Sequence, residues 1–295
     1  MKMFDLDTAA EKGVYAMPYF GGKSVSSNQQ TGKWINSLMP MRKGYVEPFA
    51  GMLGVLLQRK KAEAEIVNDR CRLITAFWRC LRDRDEHFLW KIRTTPHCRG
   101  FLKLARSLRA DMDRGSHVGE VDRAWIAYTL LKSTFRHEIG NWDGDGSFRI
   151  ATTHNPVSFA SREWERLLLV AKRIEDVQIE NTDAISLLNR IKHQDDIMVY
   201  CDPPYLCQNG KAYGQMVEDW GALHEALSAQ KGLVAVSGYD GDHNALGWRR
   251  MERETNTTGG REKQRGKRVE CLWLNYAPEM TEDLFNHAEE ELTEV

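Results

Sequence analysis

The sequence predicts an α/β protein, an open sheet with helices on its faces and a ligand site along the carboxyl ends of its strands. Three observations predict it. Ile197 to Leu206 (IMVYCDPPYL) passes from a short apolar run, suited to a buried strand, into a turn where two prolines remove successive backbone donors. Gly44 to Gln58 (GYVEPFAGMLGVLLQ) reads as strand, glycine turn and apolar helical start, and Glu65-Ile66-Val67-Asn68-Asp69 follows as a second strand ending in an acid. From Arg72 to about Phe159 the pattern becomes helical and basic, as in an insertion. In open α/β sheets ligands sit beyond the carboxyl ends of strands, where Asp202 and Asp69 both fall.

Composition bounds the rest. The chain has 295 residues, enough for one catalytic domain plus a large insertion, and its mix of apolar and charged residues is that of an ordinary globular protein. No apolar run approaches the length of a membrane span, and MKMFDLDTAAEKG lacks the apolar stretch of a signal peptide, so a cytoplasmic protein is expected. Cysteines at 71, 80, 98, 201, 207 and 271 form no C-x-x-C pair, which argues against a zinc knuckle and for reduced, buried thiols. The net charge of -1 hides segregation: Glu279 to Val295 holds seven acids and no Lys or Arg. Lys91 to Arg114 holds seven Lys or Arg against two Asp, and Gly259 to Arg268 holds five against one Glu. Such basic segments can follow phosphates, or be a solvated helix face and a mobile loop.

In chain order, Pro18-Tyr19-Phe20-Gly21-Gly22-Lys23-Ser24 reads as a turn whose glycines let the backbone approach a ligand and whose exit lysine, Lys23, can meet a carboxylate. The strand of Tyr45 to Phe49 leads into Gly51 and Gly54. Asp69 is placed to reach ribose hydroxyls or to cap the following helix. Leu73 to Leu81, Phe101 to Leu108 and Trp125 to Phe135 repeat apolar residues at helix spacing, and Glu138 to Arg149 (EIGNWDGDGSFR) reads as a hairpin around Asp-Gly-Asp-Gly. A calcium loop is the alternative for that turn, but the later ligands of an EF-hand are missing. A helix near Ser158 to Arg173 precedes a strand at Val177 to Asn181. Asp219 caps a helix through Leu227, in which His224 is more often a packed or surface histidine than a base. Gly232 to Gly238 and Arg268 to Tyr276 supply the last strands.

Asp202-Pro203-Pro204-Tyr205 resembles the D-P-P-Y signature of amino-methyltransferases of the adenine type. The series from Phe20-Gly21-Gly22-Lys23 through Glu47-Pro48-Phe49 to D-P-P-Y and Arg268…Asn275-Tyr276 resembles, over roughly residues 18 to 276, the Dam-like alpha group of adenine methyltransferases, in the versions carried by phages and prophages. It departs at Leu53, where the second glycine of the usual G-x-G falls, and at Arg149, where the family hairpin has Asn in G-x-F-N.

The resemblance implies a Rossmann-like S-adenosylmethionine-dependent methyltransferase with a mixed seven-stranded sheet. Residues 1–70 and 160–295 would form its catalytic domain, and 71–159 a mainly helical target-recognition insertion with a hairpin. It implies cofactor contacts at Tyr19, Phe20, Gly22, Lys23, Glu47, Pro48, Phe49, Gly51, Asp69, Asp183 and Asp202. It implies catalysis by Asp202, Pro203, Pro204 and Tyr205, no metal, and double-stranded DNA held by Arg136, His137, Asn141, Trp142, Arg149, Arg261, Lys263, Arg265 and Lys267. The expected state is a monomer or weak dimer, with any restriction partner and the target sequence undetermined. The alternatives are the same chemistry on an RNA adenine, a DNA cytosine or a protein glutamine, and a non-catalytic DNA-binding protein with a degenerate cofactor site. The whole reading requires Asp202 to share a cavity with Asp69 or Lys23.

Overall fold

The apolar runs form strands buried on both faces. A computed structural model of the protein describes residues 16–17, 22–23, 31–134, 139, 148–150, 156–204, 217–256 and 267–278, with the backbone alone for 156–162, 255–256 and 267–268. Its strands are β1 (Gly44–Glu47), β2 (Ala64–Asn68), β3 (Gln178–Glu180), β4 (Ile197–Cys201), β5 (Leu233–Gly238), β6 (Arg249–Asn256) and β7 (Lys267–Leu274). Its helices are α1 (Thr31–Leu38), α2 (Arg72–Arg82), α3 (Glu86–Thr94), α4 (Arg99–Asp113), α5 (Glu120–Ser133), α6 (Pro156–Arg173), α7 (Ala184–Ile191) and α8 (Trp220–Ser228).

The strand order is β3-β2-β1-β4-β5-β7-β6, parallel except that β7 runs antiparallel to β5 and β6. This is the mixed seven-stranded sheet that the resemblance implied. From β1 the chain winds outward through β2 and β3, then returns to place β4 on the other side of β1. The carboxyl ends of β1 and β4 therefore flank the switch point, where a crevice opens.

Period-two alternation sends side chains to two cores. Tyr45, Met198 and Tyr200 join the larger, which continues into α2 and α5 through Phe77, Trp78, Trp125 and Leu131. Val46, Val199 and Cys201 join the smaller, beneath Leu187 and Leu188 of α7 and Leu223 and Leu227 of α8. Arg173 of α6 pairs with Glu65 of β2, both buried, through contacts of 2.6 and 2.8 Å. Arg79 and Arg82 of α2 donate to the carbonyls of Ile179 and Val177, so the first helix of the basic stretch lies against β3.

Several expectations are adjusted. The helix expected after Gly51 and Gly54 is a single 3₁₀ turn, Leu56–Gln58. Gly51 (φ 46°) and Leu53 (φ 55°) are left-handed, and two such residues so close together cannot enter a right-handed helix. α1 packs on that turn instead, with Asn36 Nδ2 donating to the carbonyl of Val55 at 3.0 Å. The helix that follows Asp69 begins at Arg72, with Cys71 rather than Asp69 at its N-cap position. Phe148, in the expected hairpin, forms an antiparallel bridge with Thr134, four residues before its expected start at Glu138, while the Asp-Gly-Asp-Gly turn lies outside the described residues. Cys207 lies outside the described residues; the five described cysteines form no disulfide, and of them Cys80, Cys201 and Cys271 are buried, while Cys71 is half-buried and Cys98 exposed, because both sit at helix starts. Among the described residues no helix is long and apolar enough to cross a membrane.

Candidate active site

Where β4 ends, the two prolines keep the chain out of the sheet, and Asp202 is left at the strand tip with its side chain 22% exposed. Lys23, from the N-terminal segment, meets it, Nζ lying 3.3 Å from Asp202 Oδ1 and 3.0 Å from Glu270 Oε1 of β7. Lys23 is 7% exposed, so its charge is withdrawn from water and compensated by carboxylates. Gln58 Nε2 fixes the lysine's backbone, donating to the carbonyl of Lys23 at 2.9 Å and also to that of Gly54. Gly32 makes this approach possible, because a Cβ there would lie 2.5 Å from the Lys23 carbonyl oxygen.

The opposite wall is built from backbone. Asp69 Oδ2 accepts from the amide of Gly51 at 2.9 Å and Oδ1 from that of Cys71 at 2.8 Å. Burial outweighs these bonds and pushes the Asp69 carboxyl up to about 6. The left-handed Gly51 turns its amide onto Asp69, while Trp78 Nε1 holds the Gly51 carbonyl at 2.8 Å. Asn68 ties three strand ends together: Nδ2 donates to the carbonyls of Pro48 and Thr182, and Oδ1 accepts from the amide of Thr182. Glu47 at the end of β1 is buried and accepts from the Tyr45 hydroxyl at 2.7 Å. Burial, with Asp202 nearby, pushes Glu47 up to about 8.

Between these walls lies a cavity of about 260 Å³ whose lining includes Gly22, Lys23, Glu47 to Gly51, Asp69, Asp183 and Asp202 to Pro204. Asp202, Asp69 and Lys23 therefore share one cavity. Asp183 lies on its wall and also caps α7, accepting from the amide of Ser186 at 3.0 Å. Leu53 is absent from the lining: its side chain is fully buried in the larger core. The departure from glycine thus costs backbone strain without blocking the cavity. Where the cavity opens, Arg70 pairs with Glu218 at 2.9 Å.

Glu270, Gln58, Asn68 and Gly32 were not singled out from the sequence as site residues. Asn68 was readable as a polar residue inside a strand end and Glu270 as an acid within a largely apolar late strand, whereas Gln58 and Gly32 carry no local signal. Tyr19, Phe20 and Tyr205, with Arg136, His137, Asn141, Trp142, Arg261, Lys263 and Arg265, lie outside the described residues, as does the side chain of Lys267. Arg149 is half-buried beside the α3–α4 turn: its amide donates to the carbonyl of Ser133, and His97 Nε2 lies 2.8 Å from its own carbonyl. His224 is a packed histidine, 3.0 Å from Nδ1 of the buried His243, whose imidazole is pushed down to about 4 by burial first and by His224 second. Among the described residues no cluster of His, Cys, Asp and Glu could hold a metal ion.

No curated protein sequence matches the chain. Among solved structures it is similar to a precorrin-8W decarboxylase of Methanobacterium thermoautotrophicum, at 13% identity and a TM-score of 0.34, over 83% of this chain and 88% of that one. It is similar also to protein LPL1258 of Legionella pneumophila, at 14% identity and a TM-score of 0.32, over 86% of this chain and 84% of that one. A family model described as D12 class N6 adenine-specific DNA methyltransferase matches residues 19–227, a span that includes Lys23, Asp69 and Asp202-Pro203-Pro204-Tyr205. The chain belongs to that family, and its activity is the methylation of adenine in DNA.

Proposed function

We propose that the cavity binds S-adenosylmethionine and that Asp202, at its edge, receives the exocyclic amine of an adenine everted from duplex DNA. The observation that carries the reading is the shared cavity: one carboxylate held by backbone amides and another held by a lysine face the same space. The residues fit the donor molecule. Each oxygen of Asp69 accepts one amide hydrogen and keeps a lone pair suited to a ribose hydroxyl. Asp183, on the wall of the same cavity, is assigned to the adenine ring of the cofactor. Gly22, Pro48 and Phe49 complete the wall. The bound group supplies an activated methyl on a sulfonium.

The chain's residues prepare the amine. Its lone pair is delocalised into the purine, which makes it a poor nucleophile. Asp202 and the carbonyl of Pro203 accept its two hydrogens and turn the lone pair out of the ring plane. A nitrogen–carbon bond forms as the carbon–sulfur bond breaks, and the nitrogen's surplus proton passes to Asp202 or to solvent. No covalent enzyme intermediate is required. Tyr205 stacks on the everted base, and proximity supplies much of the remaining rate.

Target recognition is assigned to the helical insertion of 71–159, whose exposed Arg93, Arg99 and Lys103 face water and suit phosphates. Incubating duplex DNA with the enzyme and methyl-labelled S-adenosylmethionine, then digesting to nucleosides, tests the reading. Label is expected in N6-methyldeoxyadenosine; label in a cytosine product, or cofactor binding with no transfer, contradicts it.

A further inference from the structure

We propose that Glu270 is a positioning residue for methyl transfer, acting through Lys23 to keep Asp202 available to the substrate amine. The inference rests on the reading of Asp202 given above and extends it to a residue outside the matched span. Asp202 follows β4 and Glu270 lies in β7, with β5 between them in the sheet; Lys23 reaches both carboxylates from a third segment. The lysine stands closer to Glu270, at 3.0 Å, than to Asp202, at 3.3 Å. Both the lysine and Glu270 are withdrawn from water, with side chains 7% and 9% exposed. Asp202 is the more open of the three, at 22%.

The geometry divides the work. One ammonium between two carboxylates leaves the trio with a net negative charge at the point where two amine hydrogens have to be accepted. An ammonium drawn to Asp202 alone would neutralise it and compete with the substrate for its lone pairs. Glu270 offsets that pull from the buried side. The lysine then fixes where Asp202 points without consuming its capacity as an acceptor.

The test measures single-turnover methyl transfer and calorimetric S-adenosylmethionine affinity in the full chain for Asp202→Ala, Glu270→Gln, Lys23→Met and the double variant Lys23→Met with Glu270→Gln. Glu270→Gln keeps size and removes charge. It is expected to slow transfer by about 10-fold, the loss typical of one weakened hydrogen bond to a charged group, with cofactor affinity within about 2-fold. In the Lys23→Met background the same change is expected to slow transfer no further, because the residue acts through the lysine. A wild-type rate for Glu270→Gln overturns the proposal, as does an equal further loss in the Lys23→Met background. Loss of the fold by circular dichroism in Glu270→Gln overturns it too, since the charge would then be structural. Transfer by Asp202→Ala at the wild-type rate would instead remove the underlying reading; if that variant is inactive and Glu270→Gln is not slowed, only the role of Glu270 falls.

Discussion

The wall of the cavity at the ends of β1 and β2 is held by backbone donors, whereas the wall at β4 and β7 is held by ionised side chains. Two amides fix Asp69 in place, but an amide carries only a partial charge, so burial still wins and the carboxyl rises to about 6. Asp202 instead has a full positive charge beside it. The difference teaches a division of labour. A wall of fixed dipoles suits hydroxyl groups that keep one charge state throughout, and a wall of balanced charges suits a centre where charge develops during the reaction.

The sharpest way to break that comparison is at the charged wall. Asp202→Ala should lower single-turnover methyl transfer at least about 10²- to 10³-fold, the scale of losing a preorganised acceptor at a reacting atom. Radiolabel transfer to duplex DNA measures it.

A smaller effect is expected at the backbone wall. Asp69→Asn should weaken S-adenosylmethionine binding by about 10-fold, read by calorimetry. Here the sign of the pH dependence is fixed. Folding raises this acid from its ordinary 3.8 to about 6, so the empty protein favours the protonated form, whereas ribose donors favour the ionised one. Wild-type affinity should therefore be level above about pH 7 and weaken as pH falls through about 6, by up to about 10-fold per unit. The asparagine variant should lose that dependence. By the same linkage, ionising Asp69 costs folding stability increasingly as pH rises from 3.8 to about 6, and Asp69→Asn removes this term.

The smallest effect on ligand binding is expected at Leu53. Leu53→Gly relieves a left-handed backbone strain of about 1–2 kcal/mol but removes a fully buried side chain, a loss of about 2–5 kcal/mol. A net destabilisation of about 1–3 kcal/mol in urea melts, with cofactor affinity within about 2-fold, sharpens the claim that the leucine serves the core and not the cavity. A large gain in affinity would contradict it.

Where burial writes itself into composition, the fold was legible. β4 and β5 are apolar on successive positions because both their faces are covered, and the turn after β4 was marked by its prolines. β6 left no such trace: as an edge strand reading RRMERETN it alternates charges toward water, so no apolar run announced it. α1 and α3 are short helices flanked by equally polar sequence and were not marked, although Asp85 caps α3 in the ordinary way. α7 had a readable start in Asp183 followed by AISLL, but the acid was weighed as a ligand, and the fold gives it a cap as well as a place on the cavity wall. Lys23 was expected to meet a carboxylate; which one, and that a second would share it, depends on the packing of β4, β5 and β7, which no local window of sequence contains.

Titrating S-adenosylmethionine into Asp202→Ala tests most directly whether the two walls act separately. Truncation leaves Lys23 its contact with Glu270 and leaves Asp69 its two amides, so the affinity should stay within about 3-fold of wild type while methyl transfer is lost. Affinity that collapses together with transfer would mean that the walls form a single binding unit, and the account would be wrong.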